Sequence, residues 1–437
     1  MTRIFAALVS LCLAAPAWAD VTIKEVTSPG GVDAWLVEDH SIPFMALELR
    51  FRGGTSLDAD DARGATNLMV GLLEEGAGEL DARAFARELE GLAASISFDS
   101  SDDDVSVSAR FLSENREDAV RLLKLALTQP RFDEDAVERV RQQVLSGLRS
   151  DARDPNKLAG EAFAAMAYGT HPYARPEQGT ITSVSALTRE DLIDAHLRTI
   201  ARDRLFIGAV GDITEEELGT LLDDLLSAIP ETGASFPDPA EVTIDGGVTV
   251  VPFDTPQSVA LFGHRGIDRD DPDFFPAFVM NHILGGGGFE SRLMTEVREK
   301  RGLTYGVYSY LLPKDLAAVY LGSVASANDR MAEAIDVIRA EWARMAEAGV
   351  TAEELDAAKT YLTGAYPLRF DGHGRIASIM TGMQLQGLGV DYITTRNAKV
   401  EAVTVEDIAR VAARVMQPDN LHFVVVGQPE GLDVATE

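Results

Sequence analysis

The feature that most limits how this chain can fold is that it repeats. Thr188-Arg-Glu-Asp-Leu192 returns as Thr404-Val-Glu-Asp-Ile408, and Leu205 to Gly211 (LFIGAVG) returns as Leu421 to Gly427 (LHFVVVG). Both pairs stand 216 residues apart. Nearer the start of each half, Asp58-Ala-Asp-Asp61 matches Asp268-Arg-Asp-Asp271 at an offset of 210, and loop insertions produce a drift of this size. The chain therefore reads as a tandem duplication of units about 210 residues long. Residues 229–239 (IPETGASFPDP) have three prolines and no apolar period, so they mark the seam. The expected organisation is a first domain over 20–229, a linker over 230–240 and a second domain over 241–437.

Each half opens with strands, continues with long helices and ends on a strand. Met45, Leu47, Leu49 and Phe51 alternate as a half-buried strand does, and so do Val105, Val107, Ala109 and Phe111. Between them lies an acidic turn, Asp99 to Asp104. It is not an EF-hand loop, because Asp104 and Arg110 stand where glycine and glutamate are needed, and it reads as a solvated hairpin tip. Ala119, Leu122, Leu123 and Ala126, then Val137, Val140, Val144 and Leu148, fall at helical spacing. Strands and helices come in blocks, which points to the α+β class: two tandem homologous domains, each an antiparallel-rich sheet covered by helices.

The first nineteen residues read as an export signal. Arg3 precedes an apolar run from Ile4 to Ala15, and Ala17-Trp18-Ala19 offers a cleavage site before Asp20. That run is too short to span a bilayer. The mature product is expected to be soluble and exported, to a periplasm. Cys12, the single cysteine, lies within the signal behind Leu11, where lipidation would want a small residue. The mature chain then has neither disulfides nor thiolate chemistry. A formal net charge of −31 argues against nucleic acid or an anionic membrane as a partner.

One stretch stands out chemically, residues 285–310. Gly285, Gly286, Gly287 and Gly288 open it with a loop free to take backbone angles closed to other residues. A helical segment follows with Leu293, Met294 and Val297 on its apolar side; Gly302 stops it, and Tyr305, Val307 and Ser309 begin a strand pattern. Phe289-Glu290 after the glycines excludes both a P-loop and a dinucleotide fingerprint. On composition alone this is a helix–turn–strand corner, with Arg298 and Tyr305 on either side of the turn.

With its Ser291-Arg-Leu293 and Arg298-Glu-Lys-Arg-Gly302-Leu-Thr-Tyr305, the stretch resembles the second half of insulinase-type zinc peptidases, the group that includes the mitochondrial processing peptidase. Tyr168-Gly-Thr-His171-Pro-Tyr173 is similar to the family too, and the resemblance covers essentially the whole mature chain. Members carry His-x-x-Glu-His on a first-half helix, framed by two glycines, with a glutamate ligand about 76 residues further on. Here the frame is present as Gly64 and Gly76, but the motif positions are Asn67, Val70 and Gly71, and the distant ligand position is Gly147. Asparagine is a poor neutral ligand, valine takes no proton and glycine has no side chain. Elsewhere no two of the seven histidines stand three to five residues apart. The bare residues of 64–76 read as a packing helix, with Leu68, Leu72 and Met69 inward, and no zinc is expected in this chain.

The resemblance implies a non-catalytic subunit of a heteromeric zinc peptidase acting on peptides or unfolded segments. The zinc would belong to a partner bearing an intact His-x-x-Glu-His. Arg298 and Tyr305 would reach that partner's site, and the glycine loop would let substrate pass close to the backbone. The rival is a non-hydrolytic binding or scaffold protein of the same fold. A self-sufficient hydrolase is disfavoured, since no Gly-x-Ser-x-Gly elbow and no cysteine is available in the mature chain.

Overall fold

The computed structural model describes residues 21–432, so the expected export signal lies outside the described residues. The alternating stretches form strands as expected. The first half holds β1 (Lys24–Thr27), β2 (Asp33–Glu38), β3 (Phe44–Arg52), a two-residue pair β4 (Gly76–Ala77) and β5 (Leu80–Asp81), the hairpin β6 (Ser95–Ser100) and β7 (Asp104–Leu112), and β8 (Leu205–Gly211). The main sheet runs β1-β2-β8-β3-β7-β6 and is antiparallel except between β2 and β8. The second half holds β9 (Gly247–Pro252), β10 (Gln257–Arg265), β11 (Val307–Pro313), β12 (Ala318–Ala327) and β13 (His422–Gly427), ordered β11-β12-β10-β13-β9. Again one pair, β9 with β13, is parallel. Apart from β1 the two sheets have the same plan, with β6 and β11 at equivalent free edges.

The helices of the first half are α1 (Ala65–Val70), α2 (Ala82–Gly91), α3 (Arg116–Thr128), α4 (Glu134–Asp151), α5 (Pro155–Tyr168), α6 (Ile181–Ala186), α7 (Arg189–Thr199) and α8 (Glu215–Leu225). Those of the second are α9 (Phe274–Asn281), α10 (Met331–Ala348), α11 (Ala352–Ala365), α12 (His373–Leu385), α13 (Tyr392–Glu401) and α14 (Val405–Val415). The repeated Thr-x-x-Asp has one job in both halves. Thr188 accepts the Asp191 N–H at the start of α7 while the Asp191 carboxylate takes the Thr188 N–H, and Thr404 with Asp407 does the same for α14. Among the described residues no helix is long and apolar enough to cross a membrane.

Each half covers one face of its sheet with its own helices. The other face is covered by a helix from the opposite half. α12 lies across β3 and β8 of the first sheet, where Ile376, Ala377, Met380 and Met383 pack on Trp35, Ala46 and Val210. α5 lies across β10 and β13 of the second, where Phe163, Ala167 and Tyr168 pack on Val319, Leu321 and Val424. The exchange corrects the expectation of a half-buried β3. Its Met45, Leu47, Leu49 and Phe51 enter the first core as expected, but Ala46 and Glu48 on the opposite face are buried as well. The polar side chains there find partners, though the Arg50 Nε is left without a hydrogen bond: Glu48 accepts the Ser108 hydroxyl at 2.5 Å, and Arg50 donates to Asp104 at 3.2 Å and to Ser378 of α12 at 3.1 Å.

The acidic turn is also corrected, for it is not a solvated tip. Asp102 is buried, accepts the Thr55 hydroxyl at 3.0 Å and pairs with Lys314 from the second half. The Lys314 ammonium lies 3.9 Å from the centroid of the Tyr173 ring, whose hydroxyl donates to Asp103. The turn thus bolts the β6–β7 hairpin to the β11–β12 hairpin. Residues 230–246 carry no helix or strand but are pinned, with Arg204 donating to the Ala234 carbonyl at 2.7 Å and stacking on Phe236.

α12 can sit close because Gly208 of β8 has no side chain: a Cβ there would lie 2.7 Å from the Ala377 carbonyl oxygen. Gly208→Val is expected to lift α12 from the sheet and destabilise the protein by about 1–3 kcal/mol, read from the urea unfolding midpoint. An unchanged midpoint would mean that α12 does not need this close approach.

Candidate functional site

The first candidate is the framed helix α1. Leu68, Met69 and Leu72 are buried, in agreement with the packing reading of 64–76, although the regular helix is shorter and ends at Val70. Val70 points into the first core, Asn67 is half-buried and Gly71 is exposed. Gly147 lies on α4, whose Val140 comes close enough to meet a Cβ at Gly71 at 3.2 Å. Among the described residues no group of three or more His, Cys, Asp or Glu side chains is placed to hold a metal ion.

α1 keeps a buried anchor at its start. Asp58 accepts the Gly64 N–H at 2.8 Å, the Thr66 N–H at 3.0 Å and the Thr66 hydroxyl at 2.6 Å. The two N–H groups are backbone donors that a helix start leaves open, where its dipole favours a negative group. Asp58 is 7% exposed, and burial pushes its carboxyl up to about 6 in spite of these bonds.

The second candidate is residues 281–306. The glycines do not form an open loop. His282–Gly286 continues α9 as a wide π-helical turn, and Met294–Glu299 forms another. Of the four glycines Gly288 alone takes a left-handed angle, φ 61°. The others are needed for space: a Cβ at Gly285 would lie 2.8 Å from the Ser309 backbone nitrogen, at Gly286 2.7 Å from the Asn281 amide, and at Gly287 2.8 Å from the His282 carbonyl. Gly285 is itself buried, so only the turn from Gly286 to Gly288 remains open to a ligand.

Leu293, Met294 and Val297 are buried as expected, and the Gly302 N–H closes the segment on the Arg298 carbonyl at 2.8 Å. The strand begins at Val307, two residues later than the pattern suggested, and this leaves Tyr305 on the turn before it. Thr304 fixes that turn, donating to the Ala325 carbonyl at 2.6 Å and accepting the Gly306 N–H at 3.1 Å. Tyr305 projects from it 90% exposed.

Arg298 is half-buried. Its neighbours Lys300 and Arg301 pair with Glu296 at 2.7 and 2.9 Å, but among the described residues no carboxylate pairs with Arg298. Its guanidinium rests over the ring of Phe289, 4.8 Å from the centroid, and that ring is 64% exposed. Sequence reasoning passed over Phe289 and Thr304. An aromatic directly behind a glycine run was the available signal for the first; nothing local signalled the second. The two candidates are not brought together within the chain, since α1 packs on α7, β6 and α4, and the glycine turn packs on β11, α9 and α11.

A family model for insulinase (peptidase family M16) matches residues 34–180, and one for the peptidase M16 inactive domain matches residues 186–362, together well over half of the chain. A Helicobacter pylori protein named non-peptidase homolog YmxG is 29% identical over 394 residues, covering 89% of this chain and 90% of that protein. An uncharacterized zinc protease of Mycobacterium leprae is 28% identical over 401 residues, 90% of this chain and 89% of its own. Among solved structures, a peptidase M16 inactive domain from Pseudomonas fluorescens aligns with a TM-score of 0.88 at 29% identity, over 95% of this chain and 100% of that one. A protease from Helicobacter pylori aligns with a TM-score of 0.84 at 17% identity, over 93% and 99%, a likeness of fold alone.

The buried anchor at α1 has a pH signature. A carboxyl raised in the folded state favours the protonated form, so its contribution is full below the unfolded value near 3.9 and is lost as pH rises through about 6. Relative to Asp58→Asn, which cannot titrate, the native protein is expected to lose roughly 2 kcal/mol between about pH 4 and pH 6.5. Urea unfolding of both proteins across that range checks it. A constant difference would show that Asp58 titrates alike in the folded and unfolded chains.

Proposed function

Given that this chain belongs to the insulinase (peptidase M16) family, we propose that it serves there as a non-catalytic subunit that lends Arg298 and Tyr305 to a partner's active site. The supporting observation is a contrast between the halves. The metal positions hold Asn67, Val70, Gly71 and Gly147, none able to ligate zinc well or take a proton. Tyr305 is nevertheless presented outward on a clamped turn, and half-buried Arg298, on the preceding π-helical turn, pairs with no carboxylate among the described residues. A tyrosine this exposed does little for its own fold, and its placement is best accounted for by something outside the chain.

In the complex, the Tyr305 hydroxyl donates to the carbonyl oxygen of a bound peptide as negative charge develops there. Arg298, held flat by Phe289, donates to a neighbouring peptide carbonyl. The open backbone from Gly286 to Gly288 leads into Phe289, the ring beneath Arg298. The partner is a second chain with an intact His-x-x-Glu-His, the zinc is the partner's, and the substrate is a peptide or an unfolded segment. The leader expected over residues 1–19 supports a periplasmic location for the assembly. The names non-peptidase homolog and inactive domain, borne by two relatives, agree with a subunit that does not cleave by itself. The second reading, a binding or scaffold protein without hydrolysis, draws on the exposed aromatic surface of Phe289, Tyr305, Tyr308 and Tyr310.

The test is to purify the mature chain alone and together with a co-encoded chain carrying the full motif, then measure bound zinc and peptide cleavage. The chain alone is expected to hold no stoichiometric zinc and cleave nothing. In the complex, Tyr305→Phe is expected to lower kcat by 10²–10³, about 3–4 kcal/mol, without dissociating the subunits or shifting their unfolding. Unaltered turnover would remove Tyr305 from the chemistry and favour the scaffold reading.

A further inference from the structure

Beside the free edge of β11, between α9, α12 and α13, lies a cavity of about 510 Å³. Its lining contains three arginines, Arg269, Arg369 and Arg396, and no aspartate or glutamate. That is an unusual wall for this chain, in which acidic side chains outnumber basic ones 70 to 39. Among the described residues none of the three arginines pairs with a carboxylate. Arg269 donates to Gln386 at 3.1 Å and to the Tyr392 hydroxyl at 2.9 Å, and lies over Phe274, 4.2 Å from the ring centroid. Arg396 is buried, donates to the Leu362 carbonyl at 2.7 Å and to Asn397 at 2.9 Å, and lies over Tyr366 at 4.5 Å. Arg369 is exposed at the rim. On the same wall, burial pushes the Tyr366 hydroxyl up to about 12, against the pull of Arg396, Arg369 and Arg269.

Like charges gathered without counterions repel, and desolvation of Arg396 adds to the cost, so the cluster is complete only with an anion among them. Guanidinium forks match a carboxylate, two N–H groups to two oxygens. Between the polar groups the wall carries Phe278, Leu311, Ile379, Met383 and Leu388, an apolar share that asks for an apolar group joined to that anion. The volume falls in the range of small-ligand sites. Peptide is favoured over a fatty acid by the cavity end of β11, Tyr310 to Pro313, where no further strand lies beyond the edge, which suits an extended chain and offers nothing to an alkyl tail.

We propose that this cavity binds the free C-terminal carboxylate of a peptide whose last residue is large and apolar. The site lies on this chain alone and does not depend on Arg298, Tyr305 or a catalytic partner. It can stand if the subunit reading fails, and fail if that reading stands.

The probe is a fluorescein-labelled hexapeptide ending in Leu-Phe, titrated with the mature chain by fluorescence anisotropy. The same peptide with an amidated C-terminus and unlabelled decanoate complete the set. The free acid is expected to bind at least tenfold more tightly than the amide. Arg369→Gln, a rim change that leaves the fold intact, and Arg269→Gln are each expected to weaken the acid about tenfold, and Arg301→Gln, outside the cavity, to change nothing. Equal binding of acid and amide overturns the proposal. So does native affinity in both cavity variants, and so does displacement of the peptide by decanoate at matched concentration, which would assign the cavity to free apolar acids.

Discussion

A sheet has two faces, and each half of this protein makes helices enough for only one of them. The exchange of α5 and α12 solves that problem for both halves at once. Everything else about the molecule's geometry follows from it. Neither half has a complete apolar interior without the other's helix, so the pinned linker between them joins two parts of one folding unit.

The exchange sets what chemistry can lie along the junction. Because α12 covers the second face of β3, the charged residues there had to be matched one by one, Glu48 with Ser108 and Arg50 with Asp104 and Ser378. Because the β6–β7 hairpin meets the β11–β12 hairpin, an acidic turn became the socket for Lys314. The same junction leaves the edge of β11 free, with the Tyr305 turn at its start and the arginine-lined cavity beside its far end. The two outward-facing features of the second half are thus consequences of how its sheet is finished.

The framed helix α1 is held from its start and packed from within. Asp58 still caps α1, and the glycine frame still turns the chain in and out of it. Inside the frame, Val70 belongs to the first core. The glycine run of the second half went the other way from its sequence reading. Three of its glycines are there because Ser309, Asn281 and the His282 carbonyl crowd the turn, and conformational freedom accounts for Gly288 alone.

Local chemistry was legible in the sequence wherever the cause was local. The duplication, the strand alternation in β3 and β7, the helix faces of α3 and α4 and the stop at Gly302 all follow from spacing and side-chain type. The burial of Asp102, the second covered face of β3, the tight packing behind the glycines and the gathering of Arg269, Arg369 and Arg396 were decided by the tertiary structure. Each depends on which distant segment arrives opposite a residue, and a period of two or 3.6 records which way a side chain faces but carries no information about what will meet it.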